Sequence, residues 1–219
     1  MSASALEQLI NDELRWRETE LALLKIQLLR DVRSPEHFPV SYRSFVAITY
    51  AHYEGFIKVC IAQAVSDIFQ SGVLPSECVA ALQNYYFAHQ ARKRLSALSN
   101  SQFVSALLGS KVFFDQTPRP TGEDILAISN MNVQTFIETT GSIGLSIASF
   151  GEFRRTVGRL VDLRHRCAHG ERLTFDSSKS NADLAQDVFE LQTNIVLLMH
   201  ATALALLEFF ENEEFLCKA

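Results

Sequence analysis

Strand signals, paired cysteines and an excess of basic charge are all scarce in this chain, and each shortage removes a class of protein. Twenty Lys and Arg stand against 25 Asp and Glu, a formal net charge of −5 over 219 residues. That excludes a globally basic nucleic-acid binder, while a local basic patch stays open. The four cysteines, Cys60, Cys78, Cys167 and Cys217, form no CxxC and no close pair. Free thiols in a cytoplasmic protein are the expectation. Glu7, Asp12, Glu13 and Arg15 interrupt any apolar leader, so no secretory signal is expected. No apolar run reaches the roughly 20 residues that span a bilayer. The longest, 195–207, contains His200 and Thr202 and reads as a buried helix, with no membrane partner.

What is present is a 3.6-residue apolar rhythm and 47% hydrophobic residues, enough to bury a sizeable core. The expectation is an all-α bundle of about five to seven helices forming one domain over residues 1–219. A first helix reads from Ala5 to Arg30, with Leu6, Leu9, Leu14, Leu21, Leu24 and Leu28 as its seam. Arg33-Ser34-Pro35 and Phe38-Pro39 break it, and Ser41 is the expected N-cap of a second helix ending near Gly72. Pro75 and Ser76 open a third, which ends in Arg92-Lys93-Arg94. Residues 109–123, with two Pro and two Gly, read as an irregular excursion. Asn130 or Asn132 caps a short helix that ends before Gly141. An arginine-rich helix spans 150–169, Gly170 is its natural C′ residue, and a last helix reaches about Glu213.

The arginine-rich helix concentrates the chemistry. Residues 151–172 hold six arginines, no lysine and three acids. Arginine without lysine suits bidentate phosphate contact better than bulk solubility. Arg159, Arg166 and Arg172 are the candidate RNA-contacting members. The segment closes with Arg164-His165-Arg166-Cys167-Ala168-His169-Gly170. Arginine stabilises anionic phosphorus, and histidine is the side chain that moves protons near neutral pH. His165 and His169, at i and i+4, share one helix face. Arg164 and His169 lie about 140° apart on an ideal helix, so they converge only if the helix ends or tightens before His169.

Two other readings compete. Arg and His in a last helical turn also complement the macrodipole and bond orphan carbonyls. Two histidines at i, i+4 beside Cys167 can also start a zinc site, but Cys167 is off their face and no distant Cys/His pair completes a tetrahedron. Elsewhere, Glu54 and His52 interrupt an apolar helix. Glu54 is expected to pair with an arginine, in the functional version one from 164–169 that it orients. His89 and Arg92-Lys93-Arg94 read first as a solvated helix end. His200 reads as a core or interface histidine.

Arg-His-x-x-x-His-Gly at 164–170 resembles the HEPN signature, an Arg, four residues and then a His, with a polar residue just after the Arg. Tyr50-Ala-His-Tyr-Glu-Gly-Phe-Ile-Lys58 and Ser129-Asn-Met-Asn132, with Gly144-Leu145 beyond, are similar to motifs of the HEPN branch typified by the MAE-type and RiboL-PSP-associated families. The resemblance spans about residues 50 to 170. It implies an α-helical bundle that dimerises and a metal-independent endoribonuclease, of the toxin or phage-defence kind, with no cofactor. Arg164 and His169 take the catalytic positions, His165 the polar position between them, and Glu54 a supporting one. The departure is His165, where Asn is commoner, which leaves open which histidine moves the proton. Implied partners are RNA, a second copy of the chain and an antitoxin or inhibitor protein. The apolar last helix and the aromatic-rich segments are candidate dimer surfaces. A HEPN-like bundle without catalysis, binding RNA or protein, is the alternative. A purely structural helical dimer is the third.

Overall fold

The structure is a computed structural model that describes residues 3–88, 95–109, 115, 119–169 and 178–217. Among the described residues there are eight α-helices and no strand. They are α1 (Ala3–Asp31), α2 (Phe38–Gln70), α3 (Ala80–Tyr86), α4 (Asn100–Leu108), α5 (Glu123–Leu126), α6 (Val133–Ser142), α7 (Phe150–Ala168) and α8 (Asn181–Glu211). The excess over the expected number comes from α4 and the single turn of α5, both too short for a periodic signal. The site residue Arg172, the C′ residue Gly170, His89 and the cluster Arg92-Lys93-Arg94 lie outside the described residues.

Helix α2 is the hub. Its buried residues (Phe45, Val46, Tyr53, Phe56, Ile57 and Val65 among them) cover most directions around the axis, and the first half leaves one exposed stripe, Val40, Ser44, Ala47 and Ala51. A helix that is apolar over so much of its circumference must be covered on several sides. Helices α1, α7 and α8 pack against its length, and α5 against its second half. Phe45 meets Phe189 of α8 edge-on at 5.5 Å. Tyr53 stacks on Phe136 of α6 at 6.4 Å, and Phe136 stacks on Phe150 at the start of α7 at 4.2 Å. These rings fix where α7 begins. Helix α8 has an 18-residue window of mean hydropathy 1.6, long and apolar enough to cross a membrane by composition, and 39% of that window is buried here. Its inner stripe packs on α1, α2 and α7, while Leu197 and Leu204 stay exposed.

Several helix ends differ from expectation. Helix α2 starts at Phe38, and Pro39 sits in its first turn, where the missing N–H has no intrahelical partner to lose. Ser41 is therefore inside the helix, and its hydroxyl donates to the Asp31 carboxylate at the end of α1. The segment opened by Pro75 and Ser76 is a 3₁₀ turn, Pro75–Glu77, separate from α3. Asn132, not Asn130, caps α6 by accepting from the Thr135 N–H at 3.0 Å. Asn130 instead takes the left-handed conformation, φ 60°, which asparagine tolerates. Helix α6 runs past Gly141 to Ser142. Ser180 and Asp183 form a reciprocal capping box on α8.

The described part of 109–123 is tied to the far end of α2. Arg119 donates to the carbonyls of Phe69 and Val73, and Asp115 accepts from the Ser76 hydroxyl at 3.2 Å. Gly122 sits at φ 77°, and a Cβ there would lie 2.8 Å from backbone carbons of Ala62. At the other end, the chain after α8 returns to the 3₁₀ turn. Leu216 bridges Cys78, the Val79 N–H donates to Phe215, and the Cys217 N–H donates to Glu77 at 2.8 Å.

Between α1 and α2 two polar side chains are buried. Arg17, 4% exposed, pairs with Glu13, donates to the His52 carbonyl at 3.2 Å and lies over Trp16. His52 meets Trp16 edge-on, with its Nε2 3.1 Å from Glu20 but without hydrogen-bond alignment. Burial holds its pKa below the ordinary 6.5, against the pull of the Glu20 charge and with the push of Arg17.

Two outcomes follow from these contacts. Gly122→Ala should cost about 2–4 kcal/mol in urea unfolding, through strain and a backbone clash, whereas Gly141→Ala, with open space around it, should be neutral or stabilising by up to ~1 kcal/mol. Because the folded state disfavours the charged form of His52, its share of stability is present above the unfolded pKa and is lost as pH falls through 6.5 toward the lower folded value. His52→Gln should flatten that acid-side loss in unfolding curves taken between about pH 7 and 5.

Candidate active site

Helix α7 has one inner and one outer face. Phe150, Val157 and Leu160 are buried, with Phe153 and Val161 partly so, at helical spacing. Arg164 follows Val157 by seven residues and Leu160 by four, so it belongs to the inner face. Its guanidinium carbon sits 4.7 Å from the centroid of the Tyr50 ring. Tyr50 is 3% exposed, at the point where α2 and α7 cross. Its hydroxyl donates to Asn130 Oδ1 at 3.5 Å. Burial first, then the Glu54 carboxylate one turn along α2, raise the phenol pKa well above the usual value. The Met131 backbone and Arg164 act the other way.

Glu54 does not pair with an arginine of α7. It is half-buried, 3.4 Å from Lys58, and it accepts from the Met131 N–H at 3.5 Å. Lys58 in turn donates to the Ile128 carbonyl at 2.5 Å. A carboxylate on the same helix face as a lysine one turn away finds it at little entropic cost, and α7 is reached instead through Tyr50. The spacing of Tyr50 and Glu54, i and i+4 beside an irregular Asn-Met-Asn segment, was the signal that could have placed Tyr50 in the site.

The histidines lie on the outer side. Their rings are 4.2 Å apart at 53°, and both are exposed. The helix ends at Ala168, and His169 is its C-cap, with φ −82° and ψ 6°. The His169 N–H still bonds the His165 carbonyl at 3.0 Å, so ending the helix there does not bring His169 round to Arg164. Arg164 and His169 leave the backbone on different sides of the helix end. Among the described residues no hydrogen bond joins them. The last turn carries His165 and Arg166 at the negative end of the helix dipole, where cations are favoured.

Arg155, Arg159, Asp162, Arg166 and His169 recur at spacings of four and three, which aligns them in one stripe. Arg155, Arg159, Asp162 and Arg166, with Gly158 and Leu163, line an open depression. Arg155 was not singled out from sequence. Arg159 is half-exposed and 3.5 Å from Asp187 of α8, which also holds Lys179 at 2.6 Å. Arg166 is half-buried. Its charge and that of Arg159 reach Tyr42 of α2, whose phenol is nonetheless pushed up to about 12, chiefly by burial. Burial also raises the Cys167 thiol, opposed by Arg43 and Arg166. Among the described residues no group of three or more His, Cys, Asp or Glu is placed to hold a metal ion. His200 is half-exposed, not in the core, and pairs with Glu18 of α1.

The family model of the MAE_28990-like HEPN proteins matches residues 6–215. The chain belongs to this HEPN family. No curated protein and no solved structure matches it. HEPN domains are often RNases, and the family makes nuclease or RNA-binding roles the relevant ones. The HEPN motif residues of this chain fall at one end of α7. Its arginine rests on the conjugated ring of α2, and its histidines face outward.

Proposed function

We propose that this HEPN protein is a metal-independent endoribonuclease, acting as a toxin or in phage defence, and that Arg164, His169 and His165 form its active site. The observation that carries this reading is the presence, at one end of α7, of a ring-held arginine and two exposed histidines whose rings lie 4.2 Å apart. Cleavage needs a base for the 2′-hydroxyl, an acid for the 5′-oxygen and cationic cover for the phosphorane. Imidazole supplies the first two and guanidinium the third. Each chain holds one such set, with the arginine and His169 on different sides of α7. A two-fold dimer would bring two sets to one groove, so that His169 of one copy acts as base and His169 of the other as acid. Arg159 and Arg166, on the outer stripe, would guide the RNA strand, with Arg172 as a further candidate. Glu54 supports the site from below through Tyr50. An antitoxin or inhibitor protein would restrain the activity.

The divergence of Arg164 and His169 favours a second reading, a HEPN module that binds RNA or protein without cutting. The two readings separate in one assay. In EDTA, wild type should cleave a mixed RNA pool to 2′,3′-cyclic phosphate ends and leave DNA intact, since the nucleophile is the 2′-hydroxyl. Folded Arg164→Ala and His169→Ala should each lose at least about 100-fold in rate. A strict metal requirement would sink the mechanism, and binding without cleavage would favour the module. In a separate titration, Arg159→Ala and Arg166→Ala should each reduce the slope of log K against log salt for single-stranded RNA by about 0.7.

A further inference from the structure

We propose that Tyr50 is the positioning residue for Arg164; this rests on the nuclease reading of Arg164. The geometry places the guanidinium over the ring face at 4.7 Å. A guanidinium held by its face keeps its edge, which carries all five N–H donors, available to phosphate oxygens. A carboxylate partner would occupy that edge. The ring therefore supplies an anchor that does not compete with the substrate for hydrogen bonds.

The ring is itself immobilised. Tyr50 is buried, and Tyr53 crosses it edge-on at 6.3 Å. Its hydroxyl donates to Asn130 Oδ1 at 3.5 Å, which ties the ring to the segment before α6. The next residue of that segment, Met131, donates its N–H to Glu54, which Lys58 also holds, so the segment is fastened to α2 at two points beside the ring.

The test uses the full chain, with RNA cleavage in EDTA and the Nε–Hε resonance of Arg164, assigned by its loss in Arg164→Lys. In wild type the ring current should shift that resonance upfield. Tyr50→Leu should move it downfield and lower kcat by about 10- to 30-fold with KM within about twofold. Tyr50→Phe keeps the ring and should retain the shift, with kcat within about twofold of wild type. If Tyr50→Leu does not fold, Tyr50→Met, which keeps bulk without a π face, takes its place. An unshifted wild-type resonance overturns the proposal. So does an unchanged kcat in the variant without the ring while Arg164→Ala abolishes cleavage, and that result leaves the nuclease reading standing. A wild type inert toward RNA overturns both.

Discussion

Most of this fold answers to the burial of one long helix. Helix α2 gives water little more than the stripe Val40, Ser44, Ala47 and Ala51 of its first half, and its neighbours are held in place by the demand to cover the rest. The same demand governs the polar residues within it. His52 faces α1, Glu54 faces the 128–131 segment, and Tyr50 faces α7. An unpartnered polar group in such a position costs about 1–3 kcal/mol; Glu54 meets Lys58 of α2 itself, while His52 Nε2 lies near Glu20 without an aligned hydrogen bond. The run Tyr50-Ala-His-Tyr-Glu is therefore a junction through which three packing interfaces are registered against one another.

That junction explains why the motif arginine is where it is. An arginine at an inner position of an amphipathic helix is expensive unless the facing surface offers something to a cation. Aliphatic residues at position 50 would have left only desolvation. An aromatic face reduces that cost without neutralising the charge. The histidines face the opposite constraint. They occupy the outer side, exposed, with each other's rings as their ring contact among the described residues.

Much of this was legible in the sequence, for identifiable reasons. The inner face of α7 repeats every three to four residues, and the family motifs at 50–58, 129–132 and 164–170 stand in order along the chain. The all-helical class followed from the absence of alternation. What could not be read were the contacts between residues far apart in sequence. Glu54 was expected to meet an arginine because a buried carboxylate needs a cation, and Lys58 met that need from the same helix. Tyr50, quoted only as the start of a family motif, is a contact of Arg164. Helix ends drifted where local signals competed: Phe38-Pro39, read as a break, in fact starts a helix, since proline is as much at home in a first turn as in a loop.

The closure between the 3₁₀ turn and the segment after α8 has a consequence for how the chain reaches this state. Cys78 and Val79 are joined by backbone bonds to residues 215–217, and Gln192, near the middle of α8, donates to the Leu21 carbonyl. Such pairings are among the most distant in sequence that the chain makes, and distant pairings slow folding. During synthesis at about 5–20 residues per second, α1 and α2 spend several seconds outside the ribosome before α8 can cover them. The hub helix α2 thus stands without one of its covers until nearly the whole described chain has been made.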